Sequence, residues 1–245
     1  MRFRDKVRRP RRPVVVYEIL PPREKDGTLN SYAEKISSLL SQTHIDAINI
    51  PEVHDENERG ERPVPNLERA EAREFGRLLQ DRVGIEAIVN RVTVHDELEI
   101  QKKWIKETFY DYDIENIILV GGESSKIKYN GPSVNTTAEY ITRDLNTGRF
   151  DLFCGGISIP SRSIESESLL RKGSNGIEFF TTQVLYDSTK IILGMTQNNT
   201  NQFQTVYDLK KKYKDNFGGV YFWELCLIDN YILWINKMKK ILNIK

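Results

Sequence analysis

Cysteine is nearly missing from this chain, with two in 245 residues. Cys154 and Cys226 stand far apart, each inside an apolar run, which excludes a disulfide framework and a cysteine-based zinc site. A reduced, cytoplasmic protein is the simplest expectation. Histidine is scarce too: His44, His54 and His95 lack metal-ligand spacing and read as cap and loop residues. An excess of one charge is absent, since 36 Lys and Arg face 35 Asp and Glu. That balance removes the global electrostatic case for nucleic acid or membrane as a partner. A small, locally charged ligand stays open. No window approaches the roughly 20 apolar residues that span a bilayer. The opening "MRFRDKVRRPRRP" is basic, but it contains an acid and lacks serine and any apolar secretory core. It reads as a basic N-terminal arm over 1–13, either solvated or a short leading helix.

What the chain does have is a recurring alternation. Short β-branched runs are separated by longer amphipathic stretches, the pattern of parallel strands joined by helices. Strands are expected at "VVVYEI" (14–19), "DAINI" (46–50), "IEAIVNRVT" (85–93), "ENIILVGG" (115–122), "LFCGGISI" (152–159) and "GIEFFTTQV" (176–184). Helices are expected between them, the first over Leu29 to Leu40 with Leu29, Tyr32, Ile36, Leu39 and Leu40 on one face. After Asp187 the alternation weakens. "STKIILGM" reads as the start of a sixth helix, "GGVYFWEL" as a seventh strand, and "CLIDNYILWINKMKKILNIK" as a helix or a strand followed by a helix, its apolar part covering a sheet edge of this chain or of a second copy. The expected fold is a single α/β domain over 1–245, a (β/α)8 barrel incomplete or irregular in its last two units, with an atypical C-terminal part from 188 to 245. An unclosed sheet would also leave an edge open to a second copy of the chain.

In such a fold, polar residues at the C-terminal ends of the strands face the ligand. The sequence places Glu18, Asn49, Asn90 with Arg91, "GGESS" (121–125), "SIPSRS" (158–163), and Thr181, Thr182 and Gln183 there. Glu18 among Val16, Tyr17, Ile19 and Leu20 is expected to be partly desolvated and to hold a proton for donation, or else to pair with a nearby arginine. Gly121 and Gly122 let a ligand approach the backbone, although a plain glycine turn explains them equally. Arg162 suits a phosphate or carboxylate at a helix start. Glu165, Glu167, Arg171 and Lys172 fit the dipole of that helix. Trp104, Trp223 and Trp234 read as core.

Two segments carry a resemblance to a known family. "VVVYEILPPR" resembles the opening strand of the methylenetetrahydrofolate reductases, and "LLRKGSNGIEFFTTQVLYD" resembles their lysine, glycine and TQ-aromatic-aromatic-D segment. "NIILVGGESS" and "GGISIPSR" occupy the places of two further motifs, so the likeness covers residues 14 to 187. It implies a flavin-binding (β/α)8 barrel that reduces the methylene group of a reduced folate to methyl, with hydride from FAD or directly from NAD(P)H. Glu18 would then protonate the folate nitrogen as the ring opens. Glu123 would stabilise positive charge, and Gln183 with Thr182 would meet the pterin. Asn49, Asn90, Gly121, Gly122, Gly156, Arg162 and Lys172 would stand on the cofactor side, Lys172 toward the flavin's ribose or phosphate. Gly121, Asn90 and Arg162 replace an arginine and two histidines of the family pattern. The alternative expectation is a non-catalytic, pterin-binding or regulatory barrel.

Overall fold

The computed structural model describes residues 1–9, 14–52, 69–122, 128–146, 150–159, 162 and 165–182, with strands at 193–195 and 220–222. The chain divides into two compact units, Met1–Gly155 and Gly156–Lys245. The first contains α1 (Phe3–Arg8), β1 (Val16–Glu18), α2 (Leu29–Leu40), β2 (Ala47–Ile50), α3 (Ala72–Val83), β3 (Ala87–Val92), α4 (Leu98–Tyr110), β4 (Asn116–Val120) and α5 (Val134–Tyr140), which runs into a π-helical turn at Ile141–Leu145. β5 (Phe153–Ser158) contains the division between the units, and α6 (Glu165–Ser174), β6 (Phe179–Thr182), β7 (Leu193–Met195) and β8 (Val220–Phe222) follow. β1 to β6 form one sheet in chain order, and β7 pairs with β8 in a second. The pairings β1 with β2, β2 with β3, β3 with β4, and β7 with β8 are all parallel.

Local chemistry explains these elements. The Thr28 hydroxyl accepts from Ser31 N to start α2, and Ala33, Ile36 and Leu40 form its buried stripe. Leu39, expected on that stripe, is instead 55% exposed. The Glu71 carboxylate caps α3 by accepting from Glu74 N. β2 and β3 are buried at every residue, as continuous apolar runs in a parallel sheet require.

α1 is the short leading helix of the two alternatives, and it is packed onto the first unit instead of solvated. Phe3 is 2% exposed and meets Phe153 edge-on at 5.9 Å. Its backbone N–H donates to Glu86 Oε1 at 2.6 Å. Arg2 pairs with Glu115 at 2.9 Å, Lys6 with Asp46 at 3.3 Å, and Arg4 with Asp151. Each of these acids lies just before β2, β3, β4 or β5, so the short helix seals the N-terminal end of those strands.

A correction falls at 193–195, where a helix was expected and β7 is found. A short apolar run has no periodicity to separate the two states, and pairing with β8 decides it. The expected strand in "GGVYFWEL" is present as β8. The segment after it, including Cys226, Trp223 and Trp234, lies outside the described residues. Among the described residues, no helix is long and apolar enough to cross a membrane.

Candidate ligand site at the strand ends

Register assembles the site in the first unit. Glu18 pairs with Asn49, Asn49 with Ile88, and Ile88 with Asn116. Directly paired residues of parallel strands share a face, and so does a residue two positions on. Glu18, Asn49 and Asn90 therefore share one face at the C-terminal ends of β1, β2 and β3. On the same face Ala47 lies beneath Asn49 and Ile88 beneath Asn90, and Ile118 is the direct partner of Asn90 on β4. Below that, Asn116 Nδ2 donates to Glu86 Oε2 at 2.9 Å, the same Glu86 that holds α1.

Glu18 is exposed, against the expected desolvation. Among the described residues no arginine pairs with it. Its side-chain partner is Asn49, whose Nδ2 donates to Oε2 at 2.8 Å. Because a carboxylate accepts that bond, the Asn49 amide has a fixed orientation, and its Oδ1 is buried without a donor. Asn90 Oδ1 is likewise buried and unpartnered. The two side chains belong to residues only 6% and 8% exposed. A buried polar atom left unpaired costs about 1–3 kcal/mol, so both oxygens mark where a donor is wanted.

The rim beside Glu18 is held firmly. Pro21 and Pro22 are buried, Arg69 Nη1 donates to Pro21 O at 2.8 Å, and Ala70 N donates to Pro22 O at 2.8 Å. Arg91, next to Asn90 in sequence, points to the opposite face. There its guanidinium reaches Glu52 at 2.6 Å, Asp96 at 2.5 Å and Gln101 at 2.8 Å, over the Trp104 ring. It is a structural cation, and Trp104 is core as expected.

Gly121 and Gly122 end β4, but the open side of Gly122 is taken. A Cβ there would lie 2.2 Å from the ring of Tyr129. The Tyr129 segment is tied down by Gly131, whose N–H donates to Val94 O at 2.9 Å, and the ring meets His95 edge-on at 5.7 Å. Sequence reasoning missed Tyr129. Its only signal is an aromatic two residues before a glycine in a polar loop.

The second unit holds the other proposed cofactor residues. A Cβ on Gly156 would meet Ile177 at 3.2 Å and Phe180 at 3.5 Å, so this glycine packs against the chain itself. Lys172 turns inward and donates to Ile157 O at 2.5 Å, with Glu165 Oε1 4.0 Å away. Burial holds its amine below the usual lysine range, against the upward pull of Glu165. Glu165 is 5% exposed and accepts from Ile159 N at 2.8 Å, so it pins the β5–α6 connection instead of merely matching the helix dipole. Arg162 and Thr182 are exposed. Glu123 and Gln183 lie outside the described residues.

Among the described residues of each unit, these groups offer a flavin little to hold it. A pyrophosphate needs N–H donors or cations, whereas Asn49 offers an acceptor oxygen, Lys172 is engaged with Ile157, and Gly122 and Gly156 are covered by side chains of this chain. Among the described residues no cluster of His, Cys, Asp and Glu is arranged to hold a metal ion.

No family model matches the chain, and no curated protein matches its sequence. Among solved structures, an uncharacterized protein from Clostridium thermocellum that binds two copies of 5-methyl-5,6,7,8-tetrahydrofolic acid superposes with a TM-score of 0.58 at 16% identity, covering 98% of this chain and 85% of that one. The 4-hydroxy-tetrahydrodipicolinate synthase of Methylacidiphilum fumariolicum SolV reaches 0.44 at 15% identity, covering 94% and 73%. The N-(5'-phosphoribosyl)anthranilate isomerase of Pyrococcus furiosus reaches 0.41 at 14%, covering 95% and 100%. At such identities the likeness to the first is one of fold, and the other two add no argument.

Proposed function

We propose that this chain binds a reduced folate, with the pterin at the C-terminal ends of β1, β2 and β3. The observation that carries the reading is the row Glu18, Asn49 and Asn90, with two buried acceptor oxygens that want donors. A reduced pterin is rich in N–H groups and answers that need. The folate-binding protein of shared fold supports the choice of ligand. With β7 and β8, the described strands number eight, and we take them as the strands of a (β/α)8 barrel.

As an enzyme, the protein acts like a methylenetetrahydrofolate reductase. Glu18 donates a proton to the folate nitrogen that leaves the methylene carbon, the ring opens, and the resulting iminium accepts hydride at that carbon to give the methyl group. Glu18 lies exposed on its strand end, so ligand binding itself supplies the desolvation that a general acid needs. We take the hydride to come directly from NAD(P)H, because among the described residues the cofactor-side groups offer no flavin cradle. The second reading is a folate-binding protein without turnover, favoured by Tyr129 on Gly122, which fills room next to the site.

Calorimetric titration with 5-methyltetrahydrofolate tests the binding. A dissociation constant in the micromolar range or below is expected, and silence at those concentrations removes both readings. NAD(P)H oxidation with the methylene folate then separates them, since turnover selects the enzyme and its absence alongside tight binding selects the binder. A visible flavin spectrum in the purified protein would overturn the flavin-free assignment.

A further inference from the structure

Asn49 and Asn90 carry more information than the presence of a ligand, because they sit on neighbouring strands and make different commitments. Asn49 turns its amide nitrogen to Glu18, which fixes its Oδ1 as the atom that faces away from that partner. Asn90 makes no side-chain hydrogen bond among the described residues, and its buried atom is the oxygen. Their backbones are about 8 Å apart, from one strand spacing and two residues of rise. Two carboxamide arms are long enough to close that gap onto adjacent groups of one ring edge. Among the described residues no cation pairs with Glu18 and none bonds either amide, and the two buried oxygens would repel an anionic group. A flat edge with consecutive N–H donors fits.

We infer that Asn49 and Asn90 read the 2-amino-4-oxopyrimidine edge of the pterin: Asn49 Oδ1 accepts from N3–H, and Asn90 Oδ1 accepts from the 2-amino group. Glu18, one strand further on, then falls toward the C4 carbonyl and N5 side, where proton transfer to the reacting end of the folate is needed. This assignment rests on the reduced-folate reading and makes the two asparagines specificity residues for the pterin ring instead of cofactor contacts. A buried acceptor that loses its donor is penalised more than a contact that was never made. Selectivity against a ring lacking the amino group is therefore built in.

The test compares 6-methyltetrahydropterin with its 2-oxo analogue, which replaces the amino donor by an acceptor. Calorimetry on the wild-type chain should favour the pterin at least tenfold. Asn90→Leu should bring the ratio close to one, and Asn90→Asp, which keeps an acceptor oxygen, should retain the preference. Thermal melts confirm that each variant is folded, and the wild-type ratio needs no variant at all. Equal affinity of the wild type for both rings, or a preference that survives Asn90→Leu, overturns the inference while leaving folate binding intact. Failure of the wild type to bind either ring or 5-methyltetrahydrofolate overturns the reading beneath it.

Discussion

At the N-terminal ends of β2 to β5, each leading acid has a partner on α1: Asp46 with Lys6, Glu86 with the Phe3 amide, Glu115 with Arg2 and Asp151 with Arg4. At the C-terminal ends of β1 to β3, Asn49 and Asn90 each keep a buried oxygen with none. The same strands thus end in opposite chemistries. Exposed ion pairs such as Arg2 with Glu115 contribute only about 0–1 kcal/mol each, and Phe3, whose full burial is worth about 1.5–3 kcal/mol, adds more than any such pair. The open end gives up roughly 1–3 kcal/mol for each orphaned oxygen, a loss that the proposed ligand, with its N–H donors, would recover. Stability is concentrated at one end so that the other can stay unsatisfied.

The largest effect is expected at Glu18. Glu18→Gln keeps the shape and the Asn49 contact but removes the transferable proton, so turnover should fall about 10²–10⁴-fold. Folate affinity should stay within a few fold. Equal loss of affinity and turnover would make Glu18 a binding residue alone, and the difference between the two ends would then concern recognition and not chemistry.

The closed end is tested by Phe3→Ala. Removing a buried aromatic typically costs about 3–5 kcal/mol, readable as a shift in the denaturant midpoint. Folate affinity of the folded fraction should be unchanged. A loss below about 1 kcal/mol would show that the ion pairs of α1, and not its aromatic anchor, hold that end.

A smaller effect is expected at Tyr129. Tyr129→Ala uncovers Gly122 and removes part of a half-buried ring, for which about 1–2 kcal/mol of stability is a reasonable loss. Titration with FMN, followed by flavin fluorescence, should detect binding only in the variant. Flavin binding by the wild type would show that the ring moves aside, and the platform at Gly121 and Gly122 would rejoin the cofactor side.

The elements of the first unit were legible because burial wrote them into the sequence. α2 spans the expected Leu29–Leu40, and β2 and β3 lie within the expected "DAINI" and "IEAIVNRVT". The placement of Glu18, Asn49 and Asn90 at strand ends was legible for a different reason, since strand ends follow from strand positions. What stayed hidden depends on contacts distant in sequence. Nothing near Phe3 announces Phe153 or Glu86. The acid preceding each of β2, β3 and β4 is a repeated signal only once a basic helix is known to meet it. Lys172 had the same ambiguity, because a lysine in a last helical turn looks solvated until Ile157 is placed beside it. Arg91 was drawn to the wrong face by its neighbour Asn90, although alternation along a strand separates them.

The smallest effect expected concerns Glu115, where two forces at the closed end oppose each other. Burial raises its carboxyl above the usual 4.5 and outweighs the Arg2 guanidinium, which pulls it down. The folded chain therefore holds this proton more tightly than the unfolded chain does. Stability from this group is complete below pH 4.5 and is lost as pH climbs through the raised native value. Glu115→Gln has no proton to lose, so its stability should not carry that decline. Measured against the variant, the wild type should lose stability as pH rises above 4.5, with a difference at neutral pH within about 1 kcal/mol because the Arg2 pair is exposed. If the wild type instead gains on the variant over the same range, the Arg2 attraction dominates, and the ion pairs of α1 do more for the closed end than the burial of Phe3 implies.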